Sequence, residues 1–326
     1  MLILQLAVKR LMSSIPTLLI LLVGLFLLLQ LAPGDTVDAL IAQLGGGSAE
    51  TAEELRRYYG LDGSTMARLL DYLWRLVRLD LGFSAIYDKP VATVIFERLP
   101  VTLLLMVLSL SFAFIMGMLL GIISARKVNG WLDTILSLLG MVFYATPAFW
   151  LGLMSIVIFS IRLGWLPPGG YYDILAGNTG LAHVWDVTRH MLQPTVTLAL
   201  IYMAIYLRIM RASMLEVSTL DFVRTARAKG LSRNQIIRHH ILRNALLPMI
   251  TIMGLQAGAI LGGSVVIESV FSLPGIGKLA YESVIQRDLN MLLGIVFVSA
   301  LMVIVVNFVV DLIYAYLDPR ITSEKV

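Results

Sequence analysis

The stretch LMSSIPTLLILLVGLFLLLQLA, Leu11 to Ala32, carries no charged residue over 22 positions. About 20 residues of helix, rising about 1.5 Å each, cross the roughly 30 Å hydrocarbon layer of a bilayer. The stretch therefore predicts a transmembrane helix. Leu18 to Leu31 lacks the alternation of a barrel strand, which would put polar residues at every second position. Lys9 and Arg10 precede the run as they would in a secretory signal. The run exceeds the roughly 7–15 residues of a signal core, and Ala32-Pro33-Gly34-Asp35 is no cleavage site. It is read as a retained first helix.

Working outward, runs of the same kind recur, and spans are expected at 11–32, 100–123, 134–160, 191–214, 246–267 and 290–314. The chain is read as an all-α integral membrane protein with six transmembrane helices. Composition agrees: 14% of the residues are charged, against about 25% in soluble domains. An even number of spans puts both termini on one side. Lys and Arg decide which side, because they accumulate in cytoplasmic segments. The segment from Arg208 to Arg243 holds eight Lys/Arg against two acids, Glu216 and Asp221. Arg126 and Lys127 join them in the turn between spans two and three. Both termini are expected in the cytoplasm.

The long connection 33–98 reads as a small helical cap rather than a linker. Gly45-Gly46-Gly47 breaks the chain, and Ser48 stands at an N-cap position before Thr51-Ala52-Glu53-Glu54-Leu55-Arg56-Arg57. A second stretch, Met66 to Leu79, places Leu69, Leu70, Leu73, Trp74 and Val77 on one helical face. It is expected to lie on the outer membrane surface. The chain divides accordingly into 1–98, the first span with its loop, and 99–326, a five-helix core containing the segment 221–248.

That segment, Asp221 to Pro248, reads DFVRTARAKGLSRNQIIRHHILRNALLP. Its grammar is two short helices joined at Gly230. Asp221 is expected to cap the first, and its carboxylate suits the positive end of the helix dipole. Arg227 and Lys229 occupy the last turn. Gly230 takes the position after the helix that needs φ > 0, with Leu231 as its apolar companion. Ser232 and Gln235 form the capping box S-x-x-Q of the next helix.

This stretch resembles the EAA loop of ABC-importer permeases, in the form typical of the dipeptide, oligopeptide and nickel group. Arg224-Thr225-Ala226 stands where the general pattern has E-A-A, and Gly230 is its glycine. Leu242 to Pro248 replaces the later I-x-L-P. Other stretches are similar to that group in order along the chain. They are Tyr59-Gly60-Leu61-Asp62, Asp80 to Ser84, Arg98 to Leu103, Thr146 to Trp150, Leu163 to Pro167, Glu268 to Gly277 and Asp318-Pro319-Arg320. The resemblance implies a type I ABC-importer permease fold with a helical extracytoplasmic loop after the first span. It implies a bacterial inner-membrane location and an ATP-driven importer, with dipeptides or oligopeptides as the cargo expected first. Nickel or another small solute is the alternative. The implied partners are a homologous permease subunit, two cytoplasmic ATPase subunits and an extracytoplasmic solute-binding protein. ATP and Mg would bind the partner subunits, so this chain is expected to hold no cofactor. By the same resemblance Asp221, Arg224, Thr225, Ala226, Lys229, Gly230 and Leu231 form the ATPase-coupling segment.

Span five carries Gly254, Gly258 and Gly262, and span two carries Gly117 and Gly121, a four-residue spacing that lets helices approach closely. The strongly polar residues singled out within the spans are few: Gln256, Asn307 and Asp311. Gln256, Gly258 and Gly262 are the pathway candidates. A self-sufficient proton- or sodium-coupled carrier would bury several acids, which this chain does not offer. Gly277-Lys278 lacks both the Ser/Thr and the earlier glycine of a phosphate-binding loop. His183, His190, His239 and His240 have no cysteine and no carboxylate at ligand spacing, so no metal site is expected. No nucleophile–base pair is visible, so catalysis is not expected. Nothing in the basic segment would stack on nucleic acid, and the remaining partner is membrane lipid.

Overall fold

The computed structural model describes residues 2–31, 34–43, 45–46, 48–58 and 62–317. Side chains 2–13, 43, 257, 259–261, 263, 311 and 313–317 stay outside that description. Lys9, Arg10, Tyr59-Gly60-Leu61, Asp318-Pro319-Arg320 and the Asp311 side chain therefore lie outside the described residues.

In chain order the helices are α1 (Leu2–Leu31), α2 (Thr36–Gln43), α3 (Ala49–Tyr58), α4 (Thr65–Val77), α5 (Val91–Arg126), α6 (Trp131–Ala145) and α7 (Ala148–Ser155). A π-helical stretch, Ile156–Arg162, extends α7. Then follow α8 (Gly180–Ser218), α9 (Asp221–Ala228), α10 (Arg233–Ile236), a π turn Ile237–Ile241, α11 (Leu242–Val270), α12 (Ile276–Ile285) and α13 (Leu289–Leu317). One two-stranded antiparallel hairpin pairs β1 (Phe83–Ser84) with β2 (Lys89–Pro90).

Among the described residues four helical segments are long and apolar enough to cross a membrane: Ser14–Leu31, Val91–Arg126, Gly180–Ser218 and Leu289–Val310. The third expected span, 134–160, is not one helix. α6 and the α7 segment up to Arg162 meet at an angle of 104°. Pro147 has no N–H to give, and a residue before proline is pushed out of the α region. Thr146 accordingly sits at φ −84°, ψ 130° and ends α6.

The chain forms two compact units. The first comprises 1–102 and 274–305. In it α4 packs on α1, with Leu69, Tyr72 and Leu76 buried among Leu22, Phe26 and Leu293. The rings of Phe26 and Tyr72 stack with centroids 5.8 Å apart. The expected apolar face of α4 is thus split. Leu69 is buried, whereas Leu70, Trp74 and Val77 are 61%, 56% and 76% exposed. The reason is that α4 is apolar on two sides, and α1 takes the one that includes Tyr72. A second core joins Val91, Val94 and Ile95 to Ile276, Leu279 and Met291.

The second unit comprises 103–273 and 306–326. α8 is its centre, packed by α6, α7 and α11. Over half of its most apolar window is buried, 56% against 11% for α1. Gly117 and Gly121 let α5 lie against α8. A Cβ at Gly117 would stand 2.5 Å from the Tyr206 Cβ, and one at Gly121 would stand 2.8 Å from the Leu207 carbonyl oxygen.

Candidate functional site

The segment between α8 and α11 folds as a tight helical reversal. Leu220, not Asp221, is the N-cap of α9, and its side chain makes no capping bond. The helix starts one residue earlier than the acid pattern suggested, which leaves Asp221 in the first turn. There its carboxylate still faces the positive end of the dipole. It meets Arg224 at 3.4 Å, a pair exposed on both sides, where solvent leaves little energy. Thr225 Oγ1 donates to the Asp221 carbonyl at 3.0 Å. Of the eight residues of α9 only Val223 and Ala226 are buried. Asp221, Arg224, Thr225 and Lys229 all face outward.

The turn ends as its sequence dictates. Gly230 has φ +78°, a conformation that costs a side-chain-bearing residue about 1–2 kcal/mol. Its N–H donates to the Arg227 carbonyl at 3.0 Å, and the Leu231 N–H reaches back to Ala226 at 3.4 Å. These two bonds are the Schellman pattern, which satisfies the last carbonyls of the helix. No atom of the described residues lies within 4 Å of a Cβ built on Gly230. Any side chain there would project outward, away from the chain's own atoms. Ser232 and Gln235 then close the capping box in both directions, N–H to Oε1 at 3.0 Å and N–H to Oγ at 3.4 Å.

Two features tie the reversal to the helices around it. Arg126, at the end of α5, donates to Asn234 Oδ1 at 2.8 Å, and Arg233 donates to the Arg126 carbonyl at 3.1 Å. On α8, Arg211 grips Asp133 with Nε to Oδ1 at 2.7 Å and Nη2 to Oδ2 at 2.8 Å. Asp133 also accepts from Ser124 Oγ and from the Asn129 N–H. Four donors thus converge on one buried carboxylate and fix the α5–α6 turn to α8. Sequence reasoning missed this pair, because 78 residues separate its members; it does not single out Asp133, and Arg211 enters only the count of basic residues from Arg208 to Arg243.

The pathway candidates are less uniform than their spacing suggests. Gly254 is packed: a Cβ there would stand 2.9 Å from Val310 Cγ1. Gly262 is open, with nothing within 4 Å of its Cβ position. Gln256 and Gly258 are half-buried. Another glutamine is among the buried polar residues of this unit. Gln193 on α8 accepts from Ser155 Oγ at 2.6 Å and donates to Ser160 Oγ at 2.7 Å and the Pro167 carbonyl at 2.9 Å. His183 and His190 lie on α8 before the span expected at 191–214, and His190 meets Asp186 at 3.1 Å one turn away.

Several stretches separated in sequence meet in space. The Gly170 N–H donates to the Phe271 carbonyl at 2.8 Å. A Cβ at Gly169 would stand 2.6 Å from that oxygen, so the close approach requires glycine. In the first unit Ile276 N–H donates to Thr102 Oγ1 at 2.8 Å. There Ser84 Oγ donates to the buried Asp288, and Asn290 Nδ2 donates to the Phe83 carbonyl at 2.9 Å.

Comparison with known proteins shows the family of the chain. The family described as binding-protein-dependent transport system inner membrane component matches residues 117–323. The chain is 37% identical over 315 residues to the oligopeptide transport system permease protein AppB of Bacillus subtilis, covering 96% of this chain and 98% of AppB. It is 40% identical over 314 residues to the glutathione transport system permease protein GsiC of Pectobacterium atrosepticum, covering 96% and 97%. Among solved structures, the inward-facing MetNI methionine ABC transporter aligns with TM-score 0.57 and 18% identity, over 70% of this chain and 97% of that one. At that identity the likeness concerns the fold alone.

Proposed function

This chain belongs to the family of binding-protein-dependent transport system inner membrane components, and from that membership we infer that it forms half of the translocation pathway of an ATP-driven peptide importer. It resembles, over nearly its whole length, permeases named for oligopeptides and for glutathione, itself a tripeptide. Short peptides are therefore the cargo class. The six spans are α1, α5, the bent α6–α7 pair, α8, α11 and α13. The basic connections face the cytoplasm with both termini, and α2 to α4 form the extracytoplasmic cap.

The observation that carries the reading is the reversal at Gly230. It is a short helix closed at both ends by backbone bonds, exposed on its polar face, and set directly between the long helices α8 and α11. A body of this kind transmits a push as a rigid displacement rather than absorbing it. Asp221, Arg224, Thr225, Ala226, Lys229, Gly230 and Leu231 dock on an ATPase subunit, with Ala226 holding the helix to its support from the buried side. ATP and Mg are held by the two ATPase subunits, a homologous permease completes the pathway, and a solute-binding protein delivers cargo. Gln256, Gly258 and Gly262 face the pathway.

The test is depletion of a mixed peptide library from the medium, read by mass spectrometry, in cells with and without this gene. A length class of peptides that disappears only with the gene present supports the reading. Identical depletion in both strains, alongside gene-dependent nickel accumulation, would replace peptide with metal as cargo.

A further inference from the structure

Beside the reversal lies a groove of about 600 Å³, bounded by the ends of α5 and α8, by α9 and by the α10 segment with its π turn. Three arginines line it, Arg126, Arg227 and Arg233, and no Asp or Glu does. Two of these cations are held in place, Arg126 by Asn234 and Arg233 by the Arg126 carbonyl. The side chain of Arg227 has no hydrogen bond or ion pair among the described residues. The opposite wall is apolar, with Met214, Ile236 and Ile241 buried.

A second feature points to the occupant. On α5, Ile115, Leu119 and Ile123 are 50%, 44% and 42% exposed. At i, i+4 and i+8 they form one stripe, which leads to Arg126 three residues further on. The groove thus joins a cationic mouth to an apolar track. A soluble anion would satisfy only the arginines, whereas an anionic amphiphile satisfies both surfaces. Basic pockets between transmembrane helices on the cytoplasmic side suit such headgroups.

We propose that this groove holds one anionic phospholipid, its phosphate among Arg126, Arg227 and Arg233 and an acyl chain along the α5 stripe. The inference rests on the importer reading only for the leaflet, which it takes to be the cytoplasmic one.

The test uses the intact transporter in mixed phosphatidylglycerol and phosphatidylcholine, with retained lipids counted by native mass spectrometry. The wild type is expected to keep one phosphatidylglycerol for each copy of this chain. Arg126→Gln/Arg227→Gln/Arg233→Gln is expected to lose it, at about fivefold in affinity per arginine. The charge-matched Lys127→Gln/Arg238→Gln/Arg243→Gln keeps it. Should the first triple variant fail to fold, Arg227→Gln alone, which breaks no side-chain hydrogen bond among the described residues, is expected to lose about fivefold. Equal loss in both triple variants would reduce the effect to net charge and overturn the site. So would displacement of the lipid by millimolar inorganic phosphate, or its capture only after the ATPase subunits are stripped away. Peptide uptake by the wild type is read separately, so failure of the importer reading would leave the lipid count unchanged.

Discussion

Arg211 and Asp133 meet fork to fork, at 2.7 and 2.8 Å, between α6 and α8, the helices of the third and fourth expected spans. The Asp133 side chain is 5% exposed and that of Arg211 28%. The pair holds the turn after α5 against α8, one short step before the reversal begins. It gives the reversal at Gly230 a fixed base.

Removing one member of such a pair leaves a buried charge behind. Asp133→Asn or Arg211→Met is expected to cost about 3–5 kcal/mol, seen as a lower unfolding temperature in detergent. The double variant Asp133→Leu/Arg211→Met should recover most of that loss, because no charge is then stranded. A double variant no more stable than either single one would contradict the account.

Glycines of the same spacing should differ in consequence. Gly121→Ala drives a Cβ toward the Leu207 carbonyl and is expected to destabilise by about 1–3 kcal/mol. Gly262→Ala meets nothing within 4 Å, so it should be neutral or gain up to about 1 kcal/mol of helix propensity. Thermal unfolding of the two variants side by side decides the point.

Asp288 supplies a pH dependence of definite sign. Burial raises its pKa from the ordinary 3.8, against hydrogen bonds from Ser84 and from the Met291 N–H, which lower it. The folded chain then holds this proton more tightly than the unfolded chain. Its stabilising contribution is present below about pH 3.8 and is lost as pH rises through the folded value. Asp288→Asn removes the titration. The unfolding temperature of the variant relative to wild type should therefore rise between pH 4 and pH 7, on the order of the linkage slope.

The capping box predicts a local effect. Ser232→Ala removes the bond to the Gln235 N–H and should cost about 1 kcal/mol. Hydrogen exchange is expected to quicken at Gln235 and Ile236 and to stay unchanged at the centre of α8.

What the sequence made legible was what sequence neighbours determine. The helices followed from apolar runs, and the Gly230 turn and Ser232 box followed from signals within four residues of one another. The start of α9 was misplaced by one residue, since an acid in the first turn resembles an acid at the cap. The break at Thr146–Pro147 was hidden because hydropathy averages over the proline. The two-sided α4, the Arg211–Asp133 fork and the Gln193 network depend on partners far away in the chain. No local pattern encodes which helix a face will meet.

The central claim is that the reversal carries ATPase motion into the membrane helices. The direct measurement is labelled-peptide uptake by the reconstituted transporter, with ATP on the ATPase side and binding protein on the other. Wild type is compared with Gly230→Trp, whose new side chain points away from the chain's own atoms. The account predicts ATP-dependent accumulation by the wild type, with a variant that inserts and assembles normally yet accumulates at least tenfold less. Equal uptake by the two proteins, or uptake without ATP, would contradict it.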